Sequence, residues 1–299
     1  MKPILIVALL GNIIASTGQL TVSAANTNAS QTIITQFLSA PFPHASRAEG
    51  HKYKDEFFPA DKHYTDSTVA MFVPGGFADQ GSVDVVIHFH GWRNTVAGTL
   101  KQFNLTEQFT ASGRNAILIV PEGPRDAPDS AGGKLEDPDG FKRFMDEAIV
   151  VLRKRGVIKT NSTAGKIILS GHSGGYKVMS SIVEHGGLAD QIREAWLFDG
   201  LYAEGEKFLR WAEKTNGRLL NIYTDTGGTK NRTEEMMTDL KQRGTNFLTT
   251  TDMAVTSQEL KTNRYIFLHT DMTHNDVIMK RRMFQKFLET SCLEKLSGD

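Results

Sequence analysis

Cysteine is nearly missing from the chain: Cys292 is the only one in 299 residues. An intrachain disulfide is thereby excluded, and so is an N-terminal lipidated cysteine. Long apolar runs are missing as well. The run Ile4 to Leu10 is broken by Gly11, Asn12, Ser16, Thr17 and Gln19, short of the roughly 20 apolar residues a membrane span requires. Nor is there an excess of one charge: 34 Lys and Arg face 34 Asp and Glu, with no basic stripe, which argues against a nucleic-acid partner.

What stands at the N-terminus is Lys2, the short apolar run, then small and polar residues up to Val22-Ser23-Ala24-Ala25. That is the layout of a secretory signal peptide cut after Ala24 or Ala25. Its removal takes Lys2 and leaves 33 against 34 charges, a net of −1. The expectation is a secreted or periplasmic protein with no stable membrane insertion after processing. The N-x-[ST] patterns at Asn28, Asn104, Asn161 and Asn231 matter only in a glycosylating host.

With 39% apolar residues the remainder is long enough to bury a large single core. Residues 26 to 66, polar and carrying Pro41, Pro43 and Pro59, read as an irregular arm packed on the domain formed by residues 67 to 299. In that domain short apolar runs at 69–73, 83–89, 116–120, 166–169, 195–198, 219–223 and 265–268 are bounded by Gly, Pro, Asp or Asn, as strands are. Between them, segments near 140–155, 175–187, 203–215, 232–243 and 275–290 have apolar residues at helical spacing. The alternation predicts an α/β fold, a mostly parallel central sheet with helices on both faces. Ligands of such sheets bind past the carboxyl ends of the strands.

"KIILSGHSGGYKVMSS", residues 166 to 181, sets Ser173 in a G-x-S-x-G turn between a buried strand and a helix. The turn raises the hydroxyl above the sheet, and flanking glycines remove Cβ atoms that would clash in the bend. Ser173 is therefore the candidate nucleophile. A serine needs a base, and the base needs an acid to hold its tautomer. His185, inside the next helix, reads as a packing residue. His274, in the loop "TDMTHNDV", is better placed as base than His269 at the end of a strand. Asp225 and Asp199 each stand just past a strand; Asp225, one strand nearer the histidine loop, is the preferred acid and Asp199 the alternative. Oxyanion donors are expected from the amide of Gly174 and from the turn at Gly91 and Trp92 in "VVIHFHGW".

"HFHGW", "GHSGG", "NIYTD" and "MTHND", in that order, resemble the α/β-hydrolase-fold serine hydrolases, the superfamily of esterases, lipases and peptidases. The resemblance covers roughly residues 67 to 290. It implies Ser173 as nucleophile, Asp225 as acid, His274 as base, and Gly174 with Trp92 as oxyanion donors, with no cofactor and no metal. The Thr-Gly-Gly that follows Asp225 and the long interval from Asp225 to His274 depart from the family pattern.

The expected activity is hydrolysis of a small or polar carboxylic ester, from a small molecule or a polymer, with a peptidase or amidase on the same triad as the alternative. His90, Arg93, Glu122 and Tyr202, with Asn94, Arg125 and Lys134, are expected around a polar, mixed-charge pocket, without a large cap domain. Two other classes compete. His88 and His90 form an H-x-H on one strand face that can ligate a metal, and a non-catalytic binding domain would lack a base or an acid. The acidic stretch from Asp126 to Phe141 lacks calcium-loop order. It is expected to overhang the site, with Asp137 or Asp139 capping the next helix.

Overall fold

Along one strand Val83, Val85, Ile87 and Phe89 turn into one core, while Val86 turns into a second. Alternation with apolar residues on both sides is the mark of a strand covered on both faces. In the computed structural model, which describes residues 29 to 297, this strand lies inside a nine-stranded sheet. The expected signal segment, residues 1 to 25, lies outside the described residues.

In chain order the strands are β1 (Gln31–Gln36), β2 (His51–Tyr53), β3 (Glu56–Phe58), β4 (Thr68–Val73), β5 (Ser82–Phe89), β6 (Ile117–Pro121), β7 (Thr163–His172), β8 (Ile192–Phe198), β9 (Arg218–Thr224), β10 (Leu248–Thr251) and β11 (Tyr265–Thr270). The helices are α1 (Ala60–His63), α2 (Val96–Gln102), α3 (Leu105–Ala111), α4 (Gly140–Lys154), α5 (Tyr176–His185), α6 (Gly205–Thr215), α7 (Lys230–Gln242), α8 (Ser257–Thr262) and α9 (Met283–Glu289). The sheet order is β1-β4-β6-β5-β7-β8-β9-β11-β10, with β2 and β3 forming a separate hairpin. The pairings of β1 with β4 and of β4 with β6 are antiparallel. From β6 to β10 every pairing is parallel.

Phe141 and Phe144 of α4, Ile182 of α5, Phe208 of α6 and Leu240 of α7 fill one core. Val96 of α2, Phe109 of α3, Leu260 of α8 and Phe284 of α9 fill the other. The helices thus cover both faces, as the alternation predicts. Among the described residues no helix is long and apolar enough to cross a membrane. The segment between β8 and β9 holds α6 and no inserted cap.

Three local expectations change. The stretch 26–66 is not irregular throughout: "QTIITQ" pairs with β4 at the sheet edge as β1, and residues 51 to 58 form the β2–β3 hairpin. The last helix begins at Met283 rather than near 275, because residues 274 to 281 are wound into turns. Asp139 does precede α4, but its backbone is left-handed and its side chain makes no capping bond.

Candidate active site

β7 ends at His172, and the chain passes through a single turn of 3-10 helix, Ser173 to Gly175, directly into α5. Ser173 has φ +51°, a left-handed backbone that costs a non-glycine residue of order 1 kcal/mol or more and persists only where its surroundings enforce it. One such enforcement is close packing against the turn after β5. A Cβ on Gly91 would sit 2.7 Å from Ser173 Cβ and 3.3 Å from its Oγ, so only glycine lets this turn approach the serine so closely.

His274, the expected base, is paired with the carboxylate of Asp199, the alternative of the two expected acids. His274 Nδ1 lies 2.7 Å from Asp199 Oδ2. A carboxylate can only accept, so Nδ1 carries the proton and Nε2 keeps its lone pair. The pairing expected of Asp225 is not made. Asp225 stands exposed past β9, bonded to Lys230 Nζ at 2.7 Å and facing His269 Nε2 at 3.1 Å. Those contacts hold its carboxyl below the usual range, Lys230 contributing most. His269, the alternative base, thus faces Asp225 rather than Ser173, and His185 Nε2 donates to the Glu136 carbonyl at 2.7 Å.

Asp199 is fully buried and, like Ser173, has a left-handed backbone, φ +46°. Its carboxylate is caged by the loop after β9. Thr224 gives its amide (3.2 Å) and its hydroxyl (2.8 Å), and the Thr229 hydroxyl donates as well. Burial raises the carboxyl pKa, but the bonds from His274, Thr229 and Thr224 outweigh it and set it below the ordinary value. A Cβ on Gly227 would overlap Asp199 Oδ2 and come within 2.6 Å of Thr224 Oγ1. Of the Thr-Gly-Gly that breaks the family pattern after Asp225, Gly227 thus packs directly against the Asp199 carboxylate, between the Thr224 and Thr229 donors.

His172, which sequence reasoning passed over, is buried beneath His274. Its ring lies 4.6 Å from the His274 ring, and its Nε2–H donates to the His274 carbonyl at 2.9 Å. Burial, then the neighbouring His274, lower its pKa to about 4, so it is a neutral donor at neutral pH. Its position inside "GHSGG" was the one available signal.

The residues expected to supply oxyanion donors lie around Ser173. Gly174 follows it directly. The Trp92 indole lies against Gly174, where a Cβ would be 2.9 Å from Trp92 Cδ1, and its Nε1–H donates to Ser130 Oγ at 2.7 Å. Among the described residues neither the Trp92 nor the Gly174 amide is engaged by a protein acceptor. His90 does not line the pocket but braces it from behind: Nδ1 bonds the Gly91 carbonyl at 2.8 Å, and Nε2 meets Glu122 Oε1 and the Gly123 amide. Glu122, also expected in the pocket, is buried in that brace and accepts from the Val96 amide.

A cleft of about 480 Å³ is lined by Trp92, Arg93, Asn94, Gln102, His172, Ser173, Tyr202, His274 and Asn275. Arg125 and Lys134 turn elsewhere, to Asp66 and to the Leu38 carbonyl. The expected mixed charge is not found among the described residues, where Arg93 is the one Lys or Arg lining the cleft and no Asp or Glu lines it. Tyr202 donates to the Gly227 carbonyl at 2.8 Å, and burial raises its pKa.

The metal alternative has no donor set. His88 is buried, with Nδ1 2.8 Å from Ser170 Oγ and its pKa lowered to about 3 by burial. Among the described residues no three His, Cys, Asp or Glu side chains are grouped to hold an ion.

No family model and no curated protein matches the sequence. Solved structures do. A ferulic acid esterase superposes with TM-score 0.54 at 11% identity, covering 87% of this chain and 98% of the other. A mutant of the feruloyl esterase module from Clostridium thermocellum, complexed with sinapinate, gives 0.53 at 10%, covering 90% and 92%. FphF, a fluorophosphonate-binding serine hydrolase of Staphylococcus aureus, gives 0.51 at 10%, covering 87% and 97%. Strand order, helical layers and these superpositions agree: the chain has the α/β-hydrolase fold.

Proposed function

We propose that this protein is an exported serine hydrolase cleaving a small or polar carboxylic ester, with Ser173 as nucleophile, His274 as base and Asp199 as acid. The observation that carries the reading is the 2.7 Å bond from His274 Nδ1 to a caged, buried carboxylate, in a cleft shared with a serine on a strained turn. Among the described residues no direct bond joins Ser173 Oγ to the His274 ring; such bonds are commonly long in the free enzyme and tighten with substrate.

In the reaction His274 Nε2 takes the Ser173 proton as Oγ attacks the ester carbonyl. The amides of Gly174 and Trp92 stabilise the oxyanion. Asp199 holds the imidazolium, which then protonates the leaving alcohol, and water repeats the sequence on the acyl-enzyme. A small or polar substrate is supported by the polar lining of the cleft and by the absence of an inserted apolar cap between β8 and β9. The esterase and fluorophosphonate-binding neighbours support ester chemistry.

The test is a series of 4-nitrophenyl esters assayed with wild type and Ser173→Ala, together with a fluorophosphonate probe. Turnover should fall by about 10⁵-fold or more in the variant and the label should map to Ser173. Absence of labelling in folded protein, or a rate preference for long acyl chains, contradicts the reading. N-terminal sequencing of protein from the culture medium or periplasm tests export, with a start at Ala25 or Asn26 expected.

A further inference from the structure

Arg93 follows the oxyanion residue Trp92 and, like Ser173 and Asp199, has a left-handed backbone, φ +53°. Its amide donates to the Ala127 carbonyl at 2.9 Å, which fixes the turn. The guanidinium lies over the buried Phe58 ring, 5.3 Å from the centroid. Its ion-pair partner is Glu56, also on the β2–β3 hairpin, at 3.2 Å, with both side chains more than half exposed.

We infer that Arg93 is a subsite for a carboxylate, and that the natural substrate is an ester bearing one on its acyl or alcohol part. This rests on the ester-hydrolase reading of the same cleft. Two features carry it. Among the described residues the cleft holding Ser173 is lined by one arginine and by no acidic side chain, so its fixed ionic preference is for an anion. The guanidinium is also pre-organised. The aromatic ring and the strained turn restrict it on the wall of the cleft that holds Ser173, and its planar donor fork matches a carboxylate in a way a lysine would not. Glu56 is a weak, solvent-screened partner, and a substrate carboxylate entering the cleft displaces it or shares the fork with it.

The experiment compares 4-nitrophenyl monoadipate with 4-nitrophenyl hexanoate, which have acyl chains of equal length with and without a terminal carboxylate. In wild type kcat/KM should favour the anion by about tenfold, the order expected for hydrogen bonds to a charged group. Arg93→Gln should bring the ratio near unity, Arg93→Lys should restore part of it, and Glu56→Gln should raise it. Sodium chloride at 0.5 M should compress the wild-type ratio. A wild-type ratio at or below unity, or a ratio that Arg93→Gln leaves unchanged while Ser173 still takes the fluorophosphonate label, overturns the subsite and leaves the hydrolase standing. Failure of both esters and of labelling overturns both.

Discussion

His274 Nδ1 and Asp199 Oδ2 are joined at 2.7 Å across 75 residues of sequence, and the same carboxylate oxygen accepts the Thr224 hydroxyl at 2.8 Å. This shared oxygen orients the proposed base.

Asp199→Asn should lower ester turnover by about 10³- to 10⁴-fold, because an amide does not stabilise the imidazolium and can impose the wrong tautomer. Asp225→Asn should stay within about threefold of wild type, since its partners Lys230 and His269 form an exposed network. Steady-state kinetics of the two variants side by side decides between the acids.

Gly227→Ala touches neither Ser173 nor His274, yet its new methyl group has no room beside Asp199 and Thr224. The carboxylate must move or the loop must open. Turnover should drop at least about 10²-fold and the melting temperature by a few degrees. A variant with wild-type kcat would mean that the cage is not rigid.

Ser130→Ala removes the acceptor of the Trp92 indole while leaving every proposed catalytic group in place. Loosening of the turn that presents the Trp92 amide should lower kcat by roughly five- to tenfold, a fraction of the 10²- to 10³-fold lost with a whole oxyanion donor. Tryptophan fluorescence of the same variant should report a more mobile or more solvated indole. Unchanged kcat would place the Trp92 ring outside catalysis.

Acid should weaken the fold through its buried imidazoles. The pKa of His88 is lowered to about 3 and that of His172 to about 4, in each case chiefly by burial. The unfolded chain therefore binds these protons first, at about 6.5. Stability is fully present above that pH and is lost as pH falls toward 4 and then 3, by on the order of a few kcal/mol for each residue. Thermal melts from pH 7 to 4 should show the decline, and His88→Gln should make it shallower.

The central architecture was legible because its signals are periodic. All seven strands expected from apolar runs are present, from β4 through β9 and in β11, and α4 to α7 fall within a few residues of their predicted limits. β1 escaped because its "QTIITQ" is an edge strand with one exposed face, and β10 because "LTTT" has little apolar character. The serine and histidine stand where local sequence places them, on a strand-turn-helix bend and in the loop after β11. The carboxylate that pairs with His274 was not legible, for a reason no local pattern contains. Asp199 and Asp225 both follow strands, and only burial tells them apart: Asp199 is sealed under the β9 loop, whereas Asp225 faces solvent. The pocket was read as mixed in charge because Glu122, Arg125 and Lys134 are near it in sequence, while their partners turn them away from it.

β9 runs two residues past the tip of β8: Phe198 pairs with Ile222, the Asp199 amide donates to the Ile222 carbonyl at 2.8 Å, and Thr224 reaches back to the Asp199 carboxylate with its amide and hydroxyl. Two adjacent strand tips consequently address the same point in space, one now holding a carboxylate and the other a threonine. A carboxylate at position 224 would stand beside the place the proposed acid Asp199 occupies, within reach of the same imidazole. Genetic selection for revived turnover, begun from a chain crippled at position 199, should return suppressors carrying an acidic residue at 224.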